Sequence, residues 1–173
     1  IKKILRGPKR KIENIIIESS TNQESIIHEV KGWKKMDINN LKQLLMESGN
    51  WSFIHQRPYG IMANPLDTPK SIFVSTSKTD PLREDYHFVL KEDQKEFQLG
   101  IDLLNRLVDQ PVFLGLDKSR PGYFESIEGV QHYSFEGPHP AGNLSLHIQK
   151  LSPLNMNDRV WTVNPEDVVN IGR

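Results

Sequence analysis

The sequence contains no cysteine among its 173 residues. Disulfides, thiolate zinc sites, cysteine-ligated iron–sulfur clusters and cysteine nucleophiles are therefore excluded within the chain. Such a composition fits a cytosolic protein without requiring one. Net charge is missing as well, because 22 basic side chains meet 22 acidic ones. A dedicated nucleic-acid binder would carry a strongly basic footprint, so that class is set aside. No apolar run approaches the ~18 residues of a membrane span and no signal-peptide pattern is visible, so membrane association would go through a partner. Neither GxGxxG nor GxxxxGK[ST] occurs, and nothing marks a pyrophosphate on a helix N-terminus. Without a GxSxG elbow, a serine hydrolase has no support. There is no internal repeat and no low-complexity tract. The length suits one domain with a real core, with room for a fragment of a second. The chain opens without Met, in IKKILRGPKRKIENIIIE, and is expected to be a piece of a longer polypeptide.

What is present reads as alternating strands and helices. Residues 1–18 hold two short apolar-rich runs around Arg6-Gly7-Pro8-Lys9, a turn signal, and predict a β-hairpin. Lys2, Lys3, Arg6, Lys9, Arg10 and Lys11 crowd it. A basic phosphate or lipid-headgroup patch is one reading; a solvated hairpin with charged edges is the simpler one. Residues 19–36 form a polar connector anchored by Ile26, Ile27, Val30 and Trp33, and 37–173 a Rossmann-like α/β domain. Asp37 predicts an N-cap, Ile38, Leu41, Leu44 and Leu45 a helix face, and Gly49 its stop. An aromatic segment follows at 50–60, in which Trp51 and Phe53 are expected in the core. Arg57, before Pro58, is pushed toward an extended backbone from which it could face a ligand. Strands are predicted at 71–76, 112–116, 131–135 and 159–163. Helices are predicted at 91–108, with Phe97, Ile101, Leu104 and Val108 on one stripe, and at 144–151, with Leu144, Ile148 and Leu151. Asn164, Pro165, Glu166 and Asp167 start a last helix as N-cap, N1 proline and first-turn acids. Leu44, Phe73, Ile101 and Leu104 are the expected core. This rhythm predicts an open, doubly wound, mostly parallel sheet with helices on both faces.

The densest local signal is SFEGPHPAGN at 134–143. Pro138 and Pro140 fix φ and lack N–H groups, so no central strand or helix interior runs through them. Gly137 and Gly142 permit dihedrals closed to other residues. The result is a stiff loop holding His139, at a strand-to-helix junction where α/β proteins usually meet ligands. His132, His139 and His147, with Glu136 nearby, invite a metal reading, but their spacing gives no i, i+4 pair; surface or partly buried histidines are the plainer reading. Asp80, Glu84 and Asp85 could pair for acid–base work, although a charged loop after a strand is commoner. Chemistry alone marks no catalytic, cofactor-binding or metal-ligating residue.

Six blocks in series add a resemblance: RGPKRKIENIIIE (6–18), LLMESGNWSFIHQRPYG (44–60), SIFVSTSKTDPL (71–82), FQLGIDLLNRL (97–107), FEGPHPAGN (135–143) and VWTVNPEDVVNIG (160–172). Together they resemble the A-subunit family of the bacterial sodium-translocating NADH:quinone reductase. Ser145 stands where the family often has Gly, and His55 and Gln56 also depart from its pattern.

The resemblance implies a middle α/β domain, similar to the flavin-binding domain of the complex I NADH-oxidising subunit. It would follow a β-rich carrier-like domain, which contributes the hairpin, and precede a ubiquitin-like sheet domain and a further region. In the flavin-binding relatives a glycine-rich loop follows the first helix. Here Trp51, Phe53, Ile54 and His55 fill that place, and bulky side chains prevent close backbone approach to phosphates. The expectation is a fold that kept its architecture and lost its flavin, so that flavins, iron–sulfur and NADH sites belong to partner subunits. The resemblance further implies a peripheral position on the cytoplasmic face of the inner membrane. It also implies docking on the membrane-embedded B subunit, with a contribution to quinone access as a further expectation. Arg57, Glu136, Gly137, Pro138, His139 and Pro140 are the expected interface or quinone residues. The alternative is a stand-alone flavin- or nucleotide-binding oxidoreductase domain.

Overall fold

A computed structural model describes residues 1–19, 21–22, 32–120 and 122–173. The expected connector anchors Ile26, Ile27 and Val30 lie outside the described residues. The chain divides into two compact units, Ile1–Lys31 and Gly32–Arg173.

In the first unit, β1 (Lys3–Arg6) and β2 (Ile12–Ile16) pair antiparallel, with Ile4 opposite Ile15. The expected hairpin is present with shorter strands. Its turn closes through the Gly7 N–H on the Lys11 carbonyl at 2.9 Å. Lys2 pairs with Glu18 at 2.7 Å. Both side chains are exposed, so this contact contributes about 1 kcal/mol at most.

The second unit is built on a six-stranded sheet of order β4–β3–β8–β5–β6–β7. Its strands are β3 (His55–Arg57), β4 (Ile61–Met62), β5 (Ser71–Ser75), β6 (Val112–Gly115), β7 (Val130–Tyr133) and β8 (Val160–Thr162). β8, β5, β6 and β7 run parallel; β3 and β4 add an antiparallel edge. The mostly parallel sheet was therefore legible, but β3 and β4 were not, because three- and two-residue strands leave no alternating pattern to read.

β5 is buried at every position, as a central strand covered on both faces must be. Ile72 and Val74 enter the larger core with Leu114, Trp161 and Val163, whereas Phe73 turns to the other face with Ile148 and Val160. The period of two thus feeds two layers. On the first layer lie α1 (Ile38–Glu47), α3 (Gln94–Asn105) and α5 (Pro165–Gly172); on the second lies α4 (Leu144–Leu151). A short helix, α2 (Tyr86–Val89), precedes α3. α3 and α5 meet through glycine: a Cβ on Gly100 would stand 2.1 Å from the Val168 carbonyl oxygen, and one on Gly172 1.9 Å from that of Glu96.

Several sequence expectations need correction. α1 buries Leu41, Lys42 and Leu45, while Leu44 is only half-buried. Lys42 reaches that side because its ammonium donates to the Pro65 and Asp67 carbonyls at 2.7 and 3.0 Å, which lets the stem lie along apolar surface. Burial lowers its pKa, with Asp67 partly opposing. The helix expected over 91–108 is shorter at both ends, α3 running only over Gln94–Asn105. Phe97, Ile101 and Leu104 are fully buried, as expected; beyond the helix Leu107 is buried in place of Val108. Asp37 caps α1 by accepting the Asn39 and Asn40 N–H groups at 2.9 and 3.1 Å. Asn164 stands at the N-cap of α5 but its side chain donates to Asp167 at 3.0 Å and caps no N–H.

Candidate functional site

β5, β6 and β7 follow one another to one side, and the chain then returns to lay β8 on the other flank of β5. The connections change face there, α3 covering one side of the sheet and α4 the other. The crevice outside the carboxyl ends of β5 and β8 is therefore the topological switch point, where open α/β sheets bind ligands.

A cavity of about 210 Å³ opens there. The loop after β5 supplies Ser77, Lys78, Asp80 and Arg83, the start of α4 supplies Asn143 and Leu144, and the start of α5 supplies Asn164 and Pro165. Arg57 reaches it from the flank; its backbone pairs with Val160, and its side chain also borders a second small cavity against α4. The Arg57 Nε is buried and has no hydrogen-bond partner. A separate cavity of about 530 Å³ lies between the loops after β5, β6 and β7, lined by Ser77 to Thr79, Asp117 to Ser119, and Phe135 to Gly137.

Lys78 borders both cavities, and its ammonium is already engaged. It donates to Glu84 Oε1 at 2.6 Å, contacts the Tyr86 hydroxyl, and sits 4.2 Å over the Tyr86 ring. The Tyr86 hydroxyl donates to the same Glu84 oxygen at 2.8 Å. These bonds, the Lys78 one foremost, hold the Glu84 carboxyl down at about 2. Burial, reinforced by Glu84, drives the Tyr86 phenol far above its ordinary range. Arg83 Nε donates to Asp80 at 3.0 Å. Neither Glu84 nor Tyr86 is therefore poised to exchange a proton near neutrality.

The 134–143 loop occupies the same carboxyl edge. Glu136, Gly137, Pro138, His139 and Pro140 are all exposed. What lies beneath them is fixed. His147, fully buried on α4, donates from Nε2 to the Ala141 carbonyl at 2.7 Å and accepts from the Tyr133 hydroxyl through Nδ1 at 3.0 Å. Phe135 stacks on its ring at 4.8 Å. Burial pushes the His147 pKa down, the Ala141 bond partly opposing. Gly142 donates its N–H to Thr79 Oγ1 at 2.9 Å, and a Cβ there would stand 2.5 Å from the Thr79 nitrogen. Gly142 is thus required by close approach, whereas Gly137, at φ 143°, is required by its backbone conformation.

Glu136 to Pro140 thus lie on this edge, whereas Arg57 stands opposite Val160 at the amino end of β8, and the six do not share one pocket. Arg57 borders the switch-point cavity, Glu136 and Gly137 the larger one. His139 turns to Asp80 at 3.5 Å and to Thr79 Oγ1 at 3.3 Å. The three histidines do not converge: His147 is core, and the ring of His132 lies 3.1 Å from the Phe124 carbonyl. Of the acids considered for acid–base work, Glu84 holds Lys78, Asp80 holds Arg83, and Asp85 caps α2 and pairs with Arg120. Sequence reasoning overlooked Lys78 and Arg83, and weighed His147 only as a metal ligand or a surface or partly buried histidine. The alternation of charge in Lys78, Asp80, Arg83 and Glu84 directly after a buried strand was the available signal; for His147, its place on the stripe side of α4 was.

Comparison with known proteins bears on the same segment of chain. Residues 36–173 match the family model described as NqrA second alpha/beta domain. The chain belongs to this family. The NqrA protein of Alcanivorax borkumensis, the A subunit of a Na(+)-translocating NADH-quinone reductase, is 34% identical over 98% of this chain and 39% of its own length. The proteins of the same name from Rhodopirellula baltica and Neisseria gonorrhoeae are 35% and 30% identical, each over 98% of this chain and 38% of their own lengths. The chain thus spans about two-fifths of the length of the curated relatives it matches. Within this NqrA domain, no described helix is long and apolar enough to cross a membrane.

Proposed function

We propose that this chain acts as a docking domain of a Na+-translocating NADH:quinone reductase, within its NqrA component, with no redox cofactor of its own. The partners in this reading are the other subunits, chiefly the membrane-embedded B subunit. The position is the cytoplasmic face of the inner membrane, and the loop at 136–140 forms part of the contact and of the approach for quinone.

One observation carries the reading: five consecutive exposed residues, Glu136 to Pro140, ride on a backbone anchored from below. The Ala141 N–H bonds Pro138, the Asn143 N–H bonds Pro140, and His147 and Thr79 hold Ala141 and Gly142. A surface loop ordered in advance loses little freedom on binding, which favours association. Absence of a flavin is supported by the turn after α1. There Trp51 is buried, donates to the Ala63 carbonyl at 2.7 Å and meets Trp161 edge-on at 5.4 Å. A phosphate-cradling backbone would need that space. The switch-point cavity is also below the ~300–1,000 Å³ range of pockets for drug-sized ligands.

The larger 530 Å³ cavity favours the second reading, a flavin- or nucleotide-binding domain, by its volume. Titration with FMN separates the two. The docking reading expects no more than weak, millimolar-scale binding; stoichiometric flavin absorbance in the purified protein would establish the second. Docking itself is tested by co-purification of the membrane subunits with wild-type and His139→Ala NqrA. Reduced recovery with an unchanged melting temperature supports it, and equal recovery counts against His139.

A further inference from the structure

We infer that the basic turn of the β1–β2 hairpin is a surface for anionic lipid headgroups. Residues 1–12 carry six cationic side chains and no acid, in a chain whose total charge is zero. Lys2 pairs with Glu18 at the open end of the hairpin. Lys3, Arg6, Lys9, Arg10 and Lys11 are exposed and have no acidic partner among the described residues. The nearest acid in sequence, Glu13, lies against Gly7, where a Cβ would stand 1.8 Å from its Oε1, and it pairs with none of them. In the second unit, by contrast, Lys70, Lys78 and Arg83 each hold a carboxylate. A hairpin that needed charge only for solubility would intersperse both signs.

The turn itself breaks a local rule. The Lys11 N–H bonds to the Pro8 carbonyl at 3.3 Å, so Lys9 and Arg10 are its two central residues. Both are left-handed, at φ 55° and 61°. Asn and Gly are favoured in such a place, because longer side chains are strained there. Arg6 donates to the Arg10 carbonyl at 3.1 Å, which brings a third cation over the same turn. Strain that glycine would relieve, kept where it crowds like charges, is the mark of a functional surface. Residues 1–31 contain no Phe, Tyr or Trp, so the stacking platform of a single-strand nucleic-acid binder is missing. A cluster of point charges suits an anionic leaflet, to which each cation near the surface adds about fivefold in affinity. The choice of lipid rests on the membrane position proposed above; the charge cluster does not.

Co-sedimentation of the full chain with phosphatidylcholine vesicles containing about 30% phosphatidylglycerol, at low ionic strength, tests this. Wild type is expected to bind these vesicles and to leave them at about 0.5 M salt. Lys9→Asn with Arg10→Gly removes two cations and suits the turn. It should weaken binding about ten- to thirtyfold while melting no lower than wild type. Lys9→Arg with Arg10→Lys, which keeps the charge, should bind within about threefold of wild type. A merely structural turn would not part affinity from stability in this way. Absence of binding to the anionic vesicles, or equal binding to pure phosphatidylcholine, would overturn the inference. So would a Lys9→Asn/Arg10→Gly chain binding within about threefold of wild type, or tighter binding to single-stranded RNA than to the vesicles. No partner subunit is present in the assay, so its failure leaves docking of the 136–140 loop untouched, and failure of docking leaves this surface in place.

Discussion

Replacing His147 by Leu is the perturbation whose cost follows most directly from the structure. The imidazole is fully buried, and both ring nitrogens are used, one on the Ala141 carbonyl and one on the Tyr133 hydroxyl. Leucine keeps most of the volume but strands the Ala141 carbonyl and leaves the Tyr133 hydroxyl with Ser75 alone. Each buried unsatisfied group costs about 1–3 kcal/mol, and the lost stacking on Phe135 adds to that, so a total of about 2–5 kcal/mol is expected. For a chain of this size that corresponds to a fall in Tm of roughly 5–15 °C. The same residue sets a pH dependence. Its folded pKa is depressed, so the unfolded chain binds the proton more readily. The contribution of His147 is therefore complete above the unfolded value of about 6.5 and declines as pH falls below it. Thermal or urea unfolding between about pH 7.5 and 5 should show wild type losing stability on acidification, and His147→Leu losing less. A His147→Leu protein within about 0.5 kcal/mol of wild type, with the same pH slope, would refute the assignment of His147 as the pin of the loop.

Other expectations are simpler. Gly142→Val should destabilise by about 1–3 kcal/mol through collision with the Thr79 and Lys78 backbone. Gly137→Val should do so by a similar amount through φ strain, both measured as unfolding midpoints. Ile101→Ala should cost roughly 2–5 kcal/mol and Leu44→Ala distinctly less, because only Ile101 is fully buried. The folded Glu84 carboxyl is held at about 2, below its ordinary 4.5, so its pairing with Lys78 contributes fully above the ordinary value and is lost as pH falls toward 2. The stability difference between wild type and Glu84→Gln should therefore shrink over that interval, modestly given the exposure of the pair.

The parts of the fold that announce themselves in the sequence are those governed by local rules. Asp37 and Gly49 bracket α1, the stripe of Phe97, Ile101 and Leu104 marks α3, and the run at 71–75 marks a strand buried on both faces. The misses depend on distant partners. Leu44 yields its place because Lys42 finds two carbonyls beyond β4, contacts that no helical period encodes. β3 and β4 exist because β8 offers an edge to pair with. Within the site, the stiffness of 134–143 was legible from its prolines and glycines. Its anchors were not, since Thr79 and His147 reach it from another loop and from the next helix. Gly142 shows the limit well: its necessity was foreseen, but its cause is contact rather than φ.

Whether the exposed loop at 136–140 is a contact surface in a larger redox complex is tested most directly by NADH:quinone turnover per assembled complex. The measurement sets a double NqrA variant, Glu136→Lys with His139→Glu, against wild type, once the variant is confirmed to melt as wild type does. A marked loss of assembly or turnover in the variant is the expected result. Full assembly with undiminished turnover would contradict a docking role for the loop.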